Sequence, residues 1–173
     1  MGLKRRLLGP IAVAVLGLVS TACEPAKPQM ELKLDVSPSG TLEVLTNVIT
    51  LNVRVTCTRS TFVPLRARFP VTTNGVTYQI PLVSASNDAI EQTVYCSSPA
   101  FPNGNTWPTQ WRVNPGTSIS KVPPNPLPIT MTGKTLSSGD VTEPIDYAVA
   151  AVSQTVTLTR ILCWPGAPSC SVL

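Results

Sequence analysis

Five cysteines, Cys23, Cys57, Cys96, Cys163 and Cys170, are the residues of this chain best equipped for covalent chemistry. An odd number leaves one thiol over once the others have paired. With Cys23 set apart, four remain, an even set for disulfides in an oxidising compartment. Their spacings match no Cys-x-x-Cys redox or metal motif. Histidine is absent, which removes Ser-His-Asp and Cys-His catalysis and every zinc site built on imidazole.

The other reactive groups are less specific. Phe101, Trp107 and Trp111, with Arg112 beside them, lie on a proline-rich stretch. Flat rings next to a cation can stack on a sugar or grip a peptide. That use requires Trp107 and Trp111 to stand exposed side by side; the plainer expectation is that the rings anchor their segment to the body. Asp140, Glu143 and Asp146 recur every third residue, and Asp88 with Glu91 forms a smaller pair. A glycosidase needs two carboxylates at a set separation, and calcium needs an oxygen-rich loop. No EF-hand spacing occurs, nor a P-loop, GxGxxG, GxSxG or HExxH motif. Solvated loop charge is therefore the default, with no metal and no cofactor expected. Arg54, Arg59, Arg66 and Arg68 cluster in the first half. Arg66 and Arg68 alternate with Leu65, Ala67 and Phe69, so they share the solvent face of one strand, where anionic lipid or polymer could meet them.

The chain has 173 residues, of which 43% are hydrophobic and 13% charged, a balance that suits one folded domain and not a disordered tract. Its formal net charge is +4. Lys4, Arg5 and Arg6 supply three of those charges near the N-terminus, and the small remainder leaves no footprint for nucleic acid. Those three cations precede an apolar run from Leu7 to Val19 and the small residues Ser20, Thr21 and Ala22. This is the pattern of an export leader over residues 1–22, shorter than the roughly 20 apolar residues of a permanent membrane span.

Ser20-Thr21-Ala22-Cys23 resembles the lipobox of bacterial lipoproteins. The resemblance covers the leader alone. It implies that the Cys23 thiol receives a diacylglyceryl group and that cleavage frees its amine, often for further acylation. The expected location is then the cell envelope, with the membrane as one partner, held through lipid. Ser-x-Ala also suits ordinary signal peptidase, so plain secretion is the alternative. Residues 23–29, with Pro25 and Pro28, read as a tether.

Residues 30–173 read as a single all-β domain. Met30, Leu32, Leu34 and Val36 alternate with Glu31, Lys33 and Asp35, the period-two signature of a half-buried strand. A turn is expected at Ser37-Pro38-Ser39-Gly40. Ile49, Leu51, Val53, Val55 and Cys57 alternate over the next strand, placing Cys57 on the apolar face. Further strands are expected over 63–69, 76–83, 90–96 and 152–162, with Asn74-Gly75 as a hairpin turn. Residues 145–152 fit either a strand or a short helix. Between 97 and 144 eight prolines (Pro99, Pro102, Pro108, Pro115, Pro123, Pro124, Pro126, Pro128) interrupt the pattern. Short strands over 110–113, 118–122 and 129–132 are expected there, at a sheet edge.

This pattern predicts an antiparallel β-sandwich of immunoglobulin-like architecture with a long irregular proline-rich segment. Four cysteines allow three pairings. A Cys57–Cys96 bridge would resemble the inter-sheet disulfide of immunoglobulin-like domains, and Cys163–Cys170 would close a small loop, so that set is favoured. The expected function is a non-enzymatic binding or structural module that meets an unknown protein or glycan. Alternatives are an inhibitor-like or phage-exclusion-type protein using the Cys163–Cys170 loop, which needs Trp164 and Pro165 in solvent, and a carboxylate-based hydrolase.

Overall fold

The structure, a computed structural model, describes residues 30–98, 104–115, 122–135, 148–165 and 169–173. The leader, Cys23 and the tether lie outside the described residues, as do Phe101, Asp140, Glu143 and Asp146. The elements in chain order are β1 (Leu32–Glu43), β2 (Val48–Cys57), β3 (Thr61–Thr73), β4 (Val76–Ser84), β5 (Gln92–Cys96), β6 (Asn105–Val113), β7 (Leu127–Lys134), β8 (Val149–Leu162) and β9 (Ser171–Val172).

The strands follow from alternation. In β2, Ile49, Leu51, Val53 and Val55 are wholly buried while Asn52 and Arg54 face solvent; in β3, Val63, Leu65, Ala67 and Phe69 point in and Phe62, Arg66 and Arg68 point out. Asn74 and Gly75 both adopt positive φ and turn β3 into β4, as the Asn-Gly pair requires. The 145–152 ambiguity resolves to strand from Val149 onward.

Seven strands close into a ring in the order β1-β2-β6-β4-β3-β7-β8 and back to β1, with β5 added to β3 and β9 to β8. Every pairing is antiparallel except β1–β8, which is parallel and completes the closure. The all-β class holds, but two separate immunoglobulin-like sheets do not form. β4 pairs β3 through Val76–Pro81 and then crosses to β6 through Leu82–Ser84; β8 pairs β7 through Val149–Val156 and then β1 through Thr157–Ile161. Strands that change sheets in this way join the two layers at their corners.

Two sequence expectations change for that reason. Ser37–Gly40 is not a turn: β1 runs through it as a bulge, with Val36 opposite Val53 and Gly40 opposite Leu51. The bulge bends β1 so that it meets β8 as well as β2. A Cβ on Gly40 would lie 2.7 Å from the Thr50 carbonyl oxygen and 3.0 Å from Leu51 Cδ2. The strands of the proline-rich segment, β6 and β7, are also longer than expected and belong to the ring, not to an edge. Prolines survive within strands because Pro64, Pro70, Pro81, Pro108 and Pro128 each have a registered neighbour on one side only, and Pro38 has none. No ladder needs the missing N–H at such a position.

β1, β3, β6 and β8 run in one direction. The end of the ring where they finish, here the far end, carries the 44–47 turn, the 74–75 turn, the Cys163–Cys170 loop and β9. Met30 enters at the near end, beside Cys57 and Cys96. Both favoured disulfides form: Cys57–Cys96 joins β2 to β5 across 39 residues, and Cys163–Cys170 closes 7 residues at the far end.

Two stability measurements check this account. Gly40→Val should destabilise the domain by at least ~2 kcal/mol, read as a urea midpoint shift, because backbone blocks the new side chain. Loop-closure entropy puts the Cys57–Cys96 bridge at about 4 kcal/mol and Cys163–Cys170 at about 2. Paired Cys→Ala variants should lose stability in that order.

Candidate functional site

Trp111, one of the rings singled out for recognition, is fully buried. It sits on the inner face of β6, with Nε1 donating to Thr109 Oγ1 at 2.8 Å while that hydroxyl donates to the Leu51 carbonyl at 3.0 Å. The indole's polar edge is thus satisfied inside the core, and neither face is left for a ligand. Trp107, four residues earlier on the same strand face, is partly buried, and its Nε1 donates to the Tyr95 carbonyl at 2.9 Å. Arg112 is engaged too, its Nε donating to Asp88 Oδ1 at 2.7 Å. The rings therefore do not stand exposed side by side, as the recognition reading requires: both lie on one strand, and strand parity turns them toward the core.

Trp107 belongs to a set of side chains that bridge β5 to β6 without a backbone ladder. Asn105 Oδ1 accepts from the Ser97 amide, and the Gln92 side chain donates to the Gln110 carbonyl and accepts from the Gln110 amide. With Trp107 on Tyr95, the bridges fall on residue pairs in antiparallel register. Asn125 does the same for β8, donating to the Leu158 carbonyl and accepting its amide at 2.8 and 3.0 Å. These side chains supply partners to exposed and part-buried backbone groups on the side where no strand ladder runs.

The acidic pair does not converge. Asp88 faces Arg112, and Glu91 accepts from Arg66 at 2.7 Å. Both ion pairs are exposed enough for solvent to screen them. Among the described residues no group of three metal-ligating side chains gathers. Arg66 and Arg68 do share the outer face of β3, as expected from their spacing.

What gathers instead is exposed apolar surface at the far end. Trp164 and Pro165 project from the disulfide-closed loop, Trp164 with 62% of its surface open. Leu45 stands on the 44–47 turn, Val76 and Tyr78 on the β3–β4 hairpin, and Val172 and Leu173 on the β8–β9 hairpin. Register sets the 44–47 turn beside β9: Ile161 pairs both Glu43 of β1 and Val172 of β9, and its carbonyl accepts from the Val44 amide; the β3–β4 hairpin reaches the same end from across the ring. The described residues of these tips (44–47, 73–78, 113–115, 122–126, 161–165 and 169–173) include no Asp, Glu, Lys or Arg. Trp164 was legible as a loop residue; its apolar companions were not, because only ring closure brings these turns together. A second exposed pair, Phe62 and Tyr95, packs cross-strand with centroids 5.1 Å apart. Its outward position follows from parity, each ring lying between buried neighbours.

No protein-family model and no curated protein matches the sequence. Among solved structures, the chain is similar to Spo0M, a sporulation control protein from Bacillus subtilis, at 7% identity and a TM-score of 0.27. The alignment covers 76% of this chain and 50% of that one, so this chain spans about half the length of the Spo0M chain. A likeness that distant bears on neither fold nor function.

The contrast between the tryptophans is measurable. Trp111→Ala should cost about 3–5 kcal/mol of folding stability through the void it leaves. Trp164→Ala should stay within about 0.5 kcal/mol of the parent, as an open surface position does. Urea unfolding of the two variants decides.

Proposed function

We propose that this chain is an exported, lipid-anchored binding module of a bacterial envelope, acting without catalysis and presenting the far end of its barrel. The observation that carries the reading is polarity of position. β1 leaves the tether at the near end, and its parallel alignment with β8 sends the Trp164 loop to the opposite end. With its bulge, β1 lies along the ten residues of β2, roughly 33 Å of strand, while a seven-residue tether reaches at most about 25 Å. A module held by Cys23 thus displays its uncharged tips away from the anchor.

Two features support the envelope setting. Four cysteines are paired, which suits an oxidising compartment. The one left over stands where the lipobox resemblance places the acylated residue. The exposure of Trp164 and Pro165 also meets the geometric demand of the second reading, an inhibitor-like loop offered to a protein. A stapled loop binds with little ordering cost.

Intact-mass analysis of membrane-extracted protein tests the anchor: the expected mass is that of residues 23–173 plus a thioether-linked diacylglyceryl group, with or without a third acyl chain on the amine, and no free thiol. Cys23→Ser should release the protein from the membrane fraction. An acyl-free mass, or an unreleased Cys23→Ser variant, would overturn the anchored reading.

A further inference from the structure

We infer that the far end of the barrel is a lipid-contacting tip, which seats its apolar side chains at the headgroup–acyl boundary of a neutral bilayer. This deepens the proposed function by naming the chemistry its display end meets.

Three observations favour a lipid phase over a folded partner. The first is splay. Leu45, Val76, Tyr78, Trp164, Val172 and Leu173 are each 49–71% exposed and arise from four separate segments. They do not shield one another as the anchors of a preformed protein-binding patch would. Protein hot spots are desolvated clusters seated in matching pockets; a fluid acyl phase accepts separate wedges with no shape match.

The second is charge. No Asp, Glu, Lys or Arg occurs among the described tip residues, whereas Arg54, Arg66, Arg68 and Arg112 stand on the strands. The charges nearest the tips, Glu43 and Arg160, stand one residue below them on β1 and β8 and are of opposite sign. Insertion of such a tip brings no ionised side chain out of water, so the match is with a surface that needs no countercharge. The third is residue type. Tryptophan and tyrosine are the side chains that settle at membrane interfaces, where one edge is wet and the other greasy. The Cys163–Cys170 bridge fixes the base of the loop that carries Trp164.

The described chain enters at Met30, at the end opposite the tip, so a molecule held through Cys23 turns its tip away from its own anchor. The tip is tested without the anchor. The mature chain, exported behind an ordinary cleaved leader and beginning at Glu24, carries no acyl group and is mixed with phosphatidylcholine vesicles. Co-sedimentation should be unchanged between about 50 and 500 mM salt, because no charge pair is being screened. Trp164 emission, isolated as the difference from Trp164→Ala, should shift to the blue and be quenched by brominated acyl chains. Trp164→Ala should weaken partitioning about tenfold, with far-UV circular dichroism unchanged. Leu45→Ser, on a different turn, should weaken it in the same direction.

Three results overturn the inference: no binding with Trp164 emission unshifted, binding that Trp164→Ala leaves intact, or binding that salt abolishes. A Trp164-dependent complex with an envelope protein in the absence of vesicle binding also overturns it, and supports the inhibitor-like reading. The acyl-free chain makes these outcomes independent of whether Cys23 carries lipid.

Discussion

The closure of β1 onto β8 is the contact on which the rest of the molecule depends. β1 pairs β2 along one edge and β8 along the other, and the two ladders overlap at Gly40 through Glu43. Without that second ladder the sheet would have open edges and its inner face would be half covered. With it, Leu42, Leu51, Val156, Leu158 and Met131 enter one core. Gly40 permits the close fit between both neighbours, because the space where its side chain would stand is taken by the Thr50 carbonyl of β2 and the Leu158 side chain of β8.

Closure also creates a shortage. Strands of unequal length wound into a ring cannot pair along their whole lengths, and the backbone groups left over must still be satisfied. The molecule meets this with side chains. Asn125 serves β8 beyond the reach of β7; Gln92, Asn105 and Trp107 serve the gap between β5 and β6. The prolines are the complement of the same pattern, placed where a donor would have had no partner. Trp107 is thus a structural bridge although its residue type suggests recognition. Trp111 goes further inward, its indole N–H spent on Thr109.

The same geometry separates the two ends of the molecule. The Cys57–Cys96 bridge secures the end where the chain enters, and the shorter Cys163–Cys170 bridge secures the end where apolar tips collect. Charged side chains lie mostly along the strands, several in exposed ion pairs that contribute little to stability. The asymmetry is therefore one of hydration: among the described residues, uncharged apolar tips stand beyond a polar wall.

The amino-acid sequence alone determined the all-β class, most strand positions, the Asn74-Gly75 turn and the inward aim of Cys57 and Cys96. Each of these depends on local rules: period-two alternation, β-branched residues, a turn pair that tolerates positive φ. The favoured disulfide set was also legible there, one bridge from the inward aim of its strands and the other from a short loop. Tertiary structure decided the rest. Whether two sheets stay apart or join depends on β4 and β8 changing partners midway, which no local pattern encodes. Ser37–Gly40 has the composition of a turn, and only the need to reach β8 makes it a bulge. Leu45, Val76, Trp164 and Leu173 are far apart in the chain, and each alone is an ordinary exposed residue. They share one end because β1, β3 and β8 run in one direction and finish there, and contacts of that range are written in the packing of whole strands, not in any window of sequence.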